Sequence, residues 1–180
     1  MRLVDSHSHL FLEEFQSDLP QVMERAQAAG VSHIFMPNID STTIEPMLRV
    51  CSDYKGYCYP MMGLHPTSVN ADYEKELAVV SEYLVMPNDY VAIGEIEMDL
   101  YWDKTFLKEQ QIVFEQQIQW ALEYKLPIVI HCREAFDYIY NVLKPYKASP
   151  LAGVFHSFTG TLEEALRILE FSNFFIGING

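Results

Sequence analysis

Short apolar runs rich in β-branched and aromatic residues recur along the chain, and between them apolar residues return every three or four positions. Most of the runs are continuously apolar rather than alternating, which is typical of parallel strands covered on both faces. They predict strands at residues 2–5, 31–36, 56–62, 90–96, 127–131, 152–155 and 173–178.

The stretches between these runs have helical spacing. Residues 20–29 begin with a proline, follow a possible cap at Asp18 and stop before Gly30, which are the usual signals for the start and end of a helix. Strands that alternate with helices indicate βαβ units around a parallel sheet. Further helices are predicted at about 105–124, 134–143 and 161–171, and at the apolar stripes Ile44–Met47–Leu48–Cys51 and Leu77–Val80–Leu84.

About seven strands and six helices predict an α/β fold, a TIM-type (β/α) barrel that is incomplete. A closed eight-stranded barrel usually needs about 200–250 residues or more, and the 180-residue sequence stops in or just after the seventh predicted strand. We therefore expect residues 1–180 to form a single barrel domain that lacks its C-terminal closing strand and helices. The exposed sheet edge would be a liability.

Composition narrows the classes of function. With 12 basic and 25 acidic residues and a net charge of −13, the chain lacks the basic face of proteins that grip extended duplexes. Bound divalent cations would still supply positive charge for a phosphate substrate. No run approaches the roughly 18 apolar residues of a membrane span. Cys51, Cys58 and Cys132 lack metal-type pairing, which predicts free thiols and a cytoplasmic location.

Five of the six histidines lie at or just past the C-terminal ends of predicted strands, where barrel active sites are assembled. The first two belong to the segment 5–9, Asp-Ser-His-Ser-His, in which alternate side chains of an extended chain share one face. Neutral imidazoles bind Zn²⁺, Mn²⁺ or Fe²⁺, and a nearby carboxylate can orient a ring or bind directly. His33, early in its strand, is expected to be structural. The five are His7, His9, His65, His131 and His156.

Glu95 is expected to end the fourth strand, and its two oxygens can each bind one cation. Two cations a few ångströms apart polarise a phosphoryl oxygen and generate hydroxide near neutral pH. An exposed loop glutamate is the alternative. Arg133 offers a planar fork for a phosphate, or else a helix-start ion pair with Glu134 or Asp137.

Three aromatic residues, Tyr101, Trp102 and Phe106, follow the Glu95 strand. Phe106 is expected in the core of a helix. Tyr101 and Trp102 either pack the loop or form a platform on which a terminal base stacks, a contact worth about 1–3 kcal/mol per base.

These motifs together resemble the TatD-type metal-dependent deoxyribonucleases of the amidohydrolase superfamily. The similarity spans the chain, from the opening Asp-Ser-His-Ser-His-Leu to Phe-Ile-Gly at residues 175–177. Several motifs at separate strand ends make it far more specific than a lone His-x-His pair. Between the two ends, the motifs are Met-Gly-Leu-His-Pro (62–66), Ile-Gly-Glu-Ile (93–96), Ile-His-Cys-Arg (130–133) and Val-Phe-His-Ser-Phe-Thr-Gly (154–160).

The resemblance implies a TIM-type barrel that hydrolyses phosphodiester bonds, often as a 3′–5′ exonuclease, with two divalent metal ions (Mg²⁺, Mn²⁺ or Zn²⁺). Carried over residue by residue, His7 and His9 hold the first metal, Glu95 bridges, and His131 and His156 hold the second.

The resemblance also places His65 close enough to contact substrate phosphate or an oxygen bound at the metals. From the residue pattern alone, Asp5 is expected to lie behind the ligands and orient one of their rings. Arg133 is our own proposal for a phosphate clamp, with Tyr101 and Trp102 as further substrate contacts. The implied substrate is DNA ends or short single strands, and no obligate protein partner is expected.

The sequence departs from the family in two places. Where the family typically has Gly-Glu-Ile-Gly-Leu-Asp, residues 94–99 read Gly-Glu-Ile-Glu-Met-Asp, so Glu97 adds a carboxylate near the mouth that could crowd substrate or change its charge preference. Nothing in residues 1–180 matches the family's last-strand aspartate, which binds metal and acts as general base. Asp99 is expected in the loop after the fourth strand and is no substitute. We therefore expect weak metal binding, or one metal of two, and little activity.

Two other functions stay open. One is an amidohydrolase-type esterase or amidase that acts on a small molecule, although Glu95 stands where many such enzymes carboxylate a lysine. The other is an inactive metal-binding fragment.

Overall fold

The structure, a computed structural model, describes residues 2–178, and within them seven β-strands alternate with six α-helices. This confirms the predicted α/β fold. The strands are β1 (Leu3–Asp5), β2 (Val31–Pro37), β3 (Cys58–Met62), β4 (Ala92–Asp99), β5 (Ile128–Arg133), β6 (Gly153–Phe155) and β7 (Phe174–Ile176). The helices are α1 (Leu19–Ala28), α2 (Ile44–Asp53), α3 (Tyr73–Leu84), α4 (Leu107–Tyr124), α5 (Phe136–Leu143) and α6 (Leu162–Ile168).

Local sequence signals explain where these helices begin and end. Pro20 lies in the first turn of α1, and Gly30, with φ +88°, follows its end in a backbone conformation that glycine adopts at little cost. Thr161 and Glu164 form a capping box at the start of α6, each side chain accepting a backbone N–H from the other residue.

All seven strands are parallel, and each pairs with the next strand in the chain. Since each helix returns the chain to the same end of the sheet, all C-terminal strand ends lie along one edge. The sheet curls as a half-barrel, which brings the segment after β1 to the segment after β6. Their histidines, His7 and His156, stack with ring centroids 3.7 Å apart.

Strand β4 and helix α4 form the centre of the core. All eight residues of β4 are buried, and α4 packs against it with a face of apolar side chains: Val113, Phe114, Ile118 and Ala121. Phe106, expected in the core of this helix, lies instead just before its first turn and is half-buried against the core.

Strand β4 differs from the prediction, because it runs three residues past the expected end at residue 96. Its last residues include two acidic side chains, Glu97 and Asp99, and acidic residues normally mark solvent-exposed chain. Here both are buried. The structure therefore corrects two expectations: Glu95 lies inside the fourth strand rather than at its end, and Asp99 ends that strand rather than lying in the loop after it.

None of the helices within residues 2–178 is long and apolar enough to cross a lipid bilayer. We expected one domain over residues 1–180. Three of those residues, Met1, Asn179 and Gly180, lie outside the residues that the structure describes.

Candidate metal centre

Five histidines converge on one carboxylate at the C-terminal edge of the sheet. Glu95, inside β4, is 2% exposed, and every one of the five rings places a nitrogen within 4 Å of its oxygens. His33 lies elsewhere: its Nδ1 is 3.0 Å from Ser32 Oγ, in agreement with the structural role expected for it.

The two oxygens of Glu95 divide the histidines into two groups. Oε2 faces the Nε2 atoms of His7 at 3.1 Å, His65 at 3.7 Å and His9 at 3.8 Å. Oε1 faces His131 Nδ1 and His156 Nε2, each at 3.1 Å. Each oxygen of Glu95 therefore has at least two imidazole nitrogens within 4 Å.

The electrostatics of Glu95 favour a bound cation. Burial alone raises the pKa of Glu95, but the His131, His156 and His7 rings outweigh burial and hold the pKa well below its usual range. Glu95 is therefore ionised at neutral pH.

Two of the rings on the Oε2 side, those of His65 and His9, are kept neutral. Burial lowers the pKa of His65 to about 4, against the opposing charge of Glu95. Burial and the His7 ring also lower the pKa of His9. The neutral ring of His9 has a lone pair for a metal ion, whereas a protonated ring has none.

Several buried polar atoms of the site have no hydrogen-bond partner, although buried polar groups in native proteins are nearly always paired. Glu95 Oε1, for example, is close to two rings, but neither approach has hydrogen-bond geometry. Cations would satisfy the carboxylate oxygens among these atoms, so the residues present fit a metal. Three groups hold their potential ligand atoms within 4.8 Å of one another: His7, His9 and Glu95; His65, Glu95 and His131; and Glu97, Asp99 and His131.

The backbone next to these ligands is held by short-range contacts. Asp5 Oδ1 accepts the backbone N–H of His7 at 3.2 Å, so Asp5 fixes the chain at His7 and not a ring nitrogen. Gly94 precedes Glu95 and packs so tightly that a Cβ atom there would lie 2.8 Å from Val129 Cβ.

Two buried glutamines on α4 hold two of the strand ends, and the sequence reasoning missed both. Gln117 accepts the Leu64 N–H at 2.7 Å and donates to the Leu64 carbonyl at 3.2 Å, directly before His65. Gln110 makes the same pair of bonds with the backbone of Asp99, at 3.0 and 3.2 Å. The sequence signal was their spacing, since residues seven apart share one face of a helix.

Arg133, Tyr101 and Trp102 form an exposed shelf beside the metal centre. The guanidinium of Arg133 lies 3.7 Å from the Tyr101 ring centroid and 5.2 Å from that of Trp102, and the two rings meet edge to face at 4.7 Å. The alternative ion pair of Arg133 is wrong: among residues 2–178 it has no acidic partner within 4.0 Å, and Asp137 pairs instead with Arg167 at 2.8 Å.

A cleft of about 430 Å³ runs from this shelf to strand β4. Its wall includes the segment after His65, the buried end of β4 and the ring of Trp102. Its lining includes Pro66, Thr67, Asp99, Trp102 and Phe106.

Glu97 does not lie where the sequence suggested. It is 1% exposed, inside β4 and paired in register with His131. A carboxylate so fully buried does not face the open mouth and cannot crowd a substrate there.

The chain is similar in sequence and structure to known proteins, and it spans about two thirds of the length of each relative described below. It is 36% identical over 178 residues to the uncharacterized metal-dependent hydrolase YabD of Bacillus subtilis (strain 168). The matched region covers 99% of this chain and 69% of YabD. It is 32% identical to the 3′-5′ ssDNA/RNA exonuclease TatD of Pantoea sp. (strain At-9b), with 99% and 68% covered.

A solved structure and a family match agree with these relatives. The crystal structure of YjjV, a TatD homologue from Escherichia coli K12, matches with a TM-score of 0.87 at 28% identity, covering 97% of this chain and 67% of that one. Residues 4–180 match the TatD related DNases. The chain therefore belongs to the TatD related DNase family of metal-dependent hydrolases.

Proposed function

We propose that the chain carries the metal centre of a two-metal phosphodiesterase that removes nucleotides from the 3′ ends of DNA or short single strands. The observation that carries the proposal is the division of ligands around Glu95. His7 and His9 lie on the Oε2 side, and His131 and His156 lie on the Oε1 side. Mg²⁺, Mn²⁺ or Zn²⁺ bound at such a centre supplies Lewis-acid polarisation of a phosphoryl oxygen and a hydroxide near neutral pH.

His65 has the tautomer of a hydrogen-bond donor. Its Nδ1 accepts the backbone N–H of Thr67 at 3.2 Å, so the proton of the neutral ring is on Nε2. That N–H points toward Glu95 Oε2 at 3.7 Å. We infer that His65 donates to a phosphate oxygen of the substrate and serves as a catalytic residue, whereas the other rings hold the metals.

The shelf supports a short substrate. Tyr101 and Trp102 are 47% and 71% exposed, so a base can stack on them, and the guanidinium of Arg133 is close enough to pair with a phosphate. Such a contact covers a terminal nucleotide and needs no long basic groove, in agreement with the net charge of −13. The free thiols Cys51, Cys58 and Cys132 support a cytoplasmic location.

The test uses metal-free protein with Mg²⁺, Mn²⁺ or Zn²⁺ added singly. A single-stranded oligonucleotide labelled at its 5′ end should yield a ladder that shortens from the 3′ end. EDTA and the substitution Glu95→Gln should each reduce the rate at least about 100-fold, since Gln lacks the charge that holds the cations. Glu82→Gln, an exposed change on α3, should leave the rate unchanged.

Small ester and amide substrates provide the competing outcomes. Cleavage of only these compounds would contradict the phosphodiesterase proposal and favour an amidohydrolase-type esterase or amidase. Stoichiometric metal binding without cleavage of any substrate would make the chain a metal-binding module, which also contradicts the proposal.

A further inference from the structure

A second acidic cluster lies on the far side of His131, away from Glu95. The ring presents Nδ1 to Glu95, while its Nε2 lies 3.3 Å from Asp99 Oδ2 and 3.7 Å from Glu97 Oε1. The register of β4 on β5 makes this arrangement, because it pairs Glu97 with His131 and Asp99 with Arg133. The His131 ring therefore faces Glu95 on one side and the carboxylates of Glu97 and Asp99 on the other.

Glu97 is the unexplained member of this cluster. Its side chain is completely buried, and neither carboxylate oxygen has a hydrogen-bond partner. His131 Nε2 also has none. An ionised carboxylate in such a place costs several kcal/mol unless it is paired or coordinates a metal.

The backbone at Glu97 makes its presence more unusual. Its φ is +150°, in a region that favours glycine. Side-chain burial and backbone conformation therefore both oppose a glutamate here. Burial, the Cys132 thiol and the Glu95 carboxylate raise the pKa of Glu97 well above its usual range, so its ionised form needs a cation beside it.

The spacing of the three ligand atoms suits a divalent cation. Two ligands of a tetrahedral ion, each about 2.0–2.1 Å from the metal, lie about 3.3 Å from each other. The distances from His131 Nε2 to the two carboxylates are 3.3 and 3.7 Å. Two carboxylates and one imidazole also form a donor set that Zn²⁺ or Mn²⁺ accepts.

We propose that Glu97, Asp99 and His131 Nε2 form a further divalent-cation site, distinct from the positions on the two oxygens of Glu95. A neutral imidazole has only one lone pair. When Nε2 holds a cation, the ring proton is on Nδ1, where it faces Glu95 Oε1 at 3.1 Å. Filling this site therefore withdraws His131 from the cation on the Oε1 side, so His131 couples the two positions.

The first measurement is a calorimetric titration of metal-free protein with Zn²⁺, with no substrate present. We expect Glu97→Gln to weaken one class of bound Zn²⁺ at least tenfold, because the amide keeps the shape but loses the charge. Glu97→Gly, which also removes the backbone strain, should lose the same class and keep the fold even if the Gln variant does not. Glu82→Gln should match the wild type.

The second measurement locates the ion. Wild-type crystals equilibrated with Zn²⁺ should give an anomalous difference peak within about 2.2 Å of a Glu97 oxygen and His131 Nε2, and Glu97→Gly crystals should lack it. Titrations of the wild type and both variants that superimpose would overturn the site, as would peaks only around Glu95. Either result leaves the proposed phosphodiesterase function standing, because that function depends on Glu95.

Discussion

Replacing Gln117 by leucine removes both hydrogen bonds that this residue of α4 makes to Leu64, just after β3. Gln117 and Leu64 are each 0% exposed, so water cannot replace the lost partner at either the Leu64 N–H or its carbonyl. An unsatisfied buried group costs about 1–3 kcal/mol, which gives about 2–6 kcal/mol for the pair. Burial of the leucine side chain offsets part of this cost. We expect a loss of about 2–4 kcal/mol in the free energy of unfolding.

Urea unfolding of the metal-free protein, followed by circular dichroism, measures this loss. The matched control is Gln111→Leu, the same substitution on the same helix at an exposed position. Gln111 donates only to Glu115, at 2.9 Å and four residues away, a contact worth about 0.2–0.5 kcal/mol. If Gln117→Leu costs less than about 1 kcal/mol, or no more than the control, the two bonds do not hold the strand end and the reasoning is wrong.

Two further predictions concern the backbone and the acid range. Gly94→Ala should destabilise the protein by about 1–3 kcal/mol in urea unfolding, because the added Cβ would lie 2.8 Å from Val129 Cβ. The control Gly177→Ala, whose Cβ would have no contact under 3.4 Å, should cost under about 0.5 kcal/mol. Equal losses in the two variants would contradict the packing argument. The pKa of His65 is lowered from 6.5 to about 4, so its contribution to stability is present above pH 6.5 and is lost as the pH falls through 4, on the order of 3 kcal/mol. In EDTA, the wild type should therefore lose more stability than His65→Gln between pH 7 and 4, and parallel curves would refute the shift.

The order of strands and helices was predictable because its signals are local. Continuous apolar runs and caps such as Pro20 and Gly30 are properties of short segments. The gathering of histidines at one edge was also predictable, since a parallel sheet places all C-terminal strand ends together. His7 and His156 are 149 positions apart in the sequence and still stack at 3.7 Å.

The end of β4 was not predictable from polarity. Glu95, Glu97 and Asp99 alternate as residues of a strand with one face toward the site, but buried acids are rare, so the pattern resembled an exposed loop. The period of two was the usable signal, as it was for Asp5, His7 and His9. The side-chain contact of Arg133 was also not predictable from the sequence. Arg133 has acidic neighbours in sequence, yet its guanidinium packs on Tyr101, 32 positions earlier.

The stack of His7 on His156 joins the C-terminal edge of the first strand to that of the sixth, and both rings approach the same carboxylate, Glu95. An ion bound by these two histidines would link the two strand ends across the curled sheet. A ligand that bound only the curled form would stabilise that form by RT ln(1 + [L]/Kd), about 2.7 kcal/mol at a concentration 100 times Kd. Folding of the curled sheet and binding of metal would then be linked, so the unfolding temperature should rise with metal concentration.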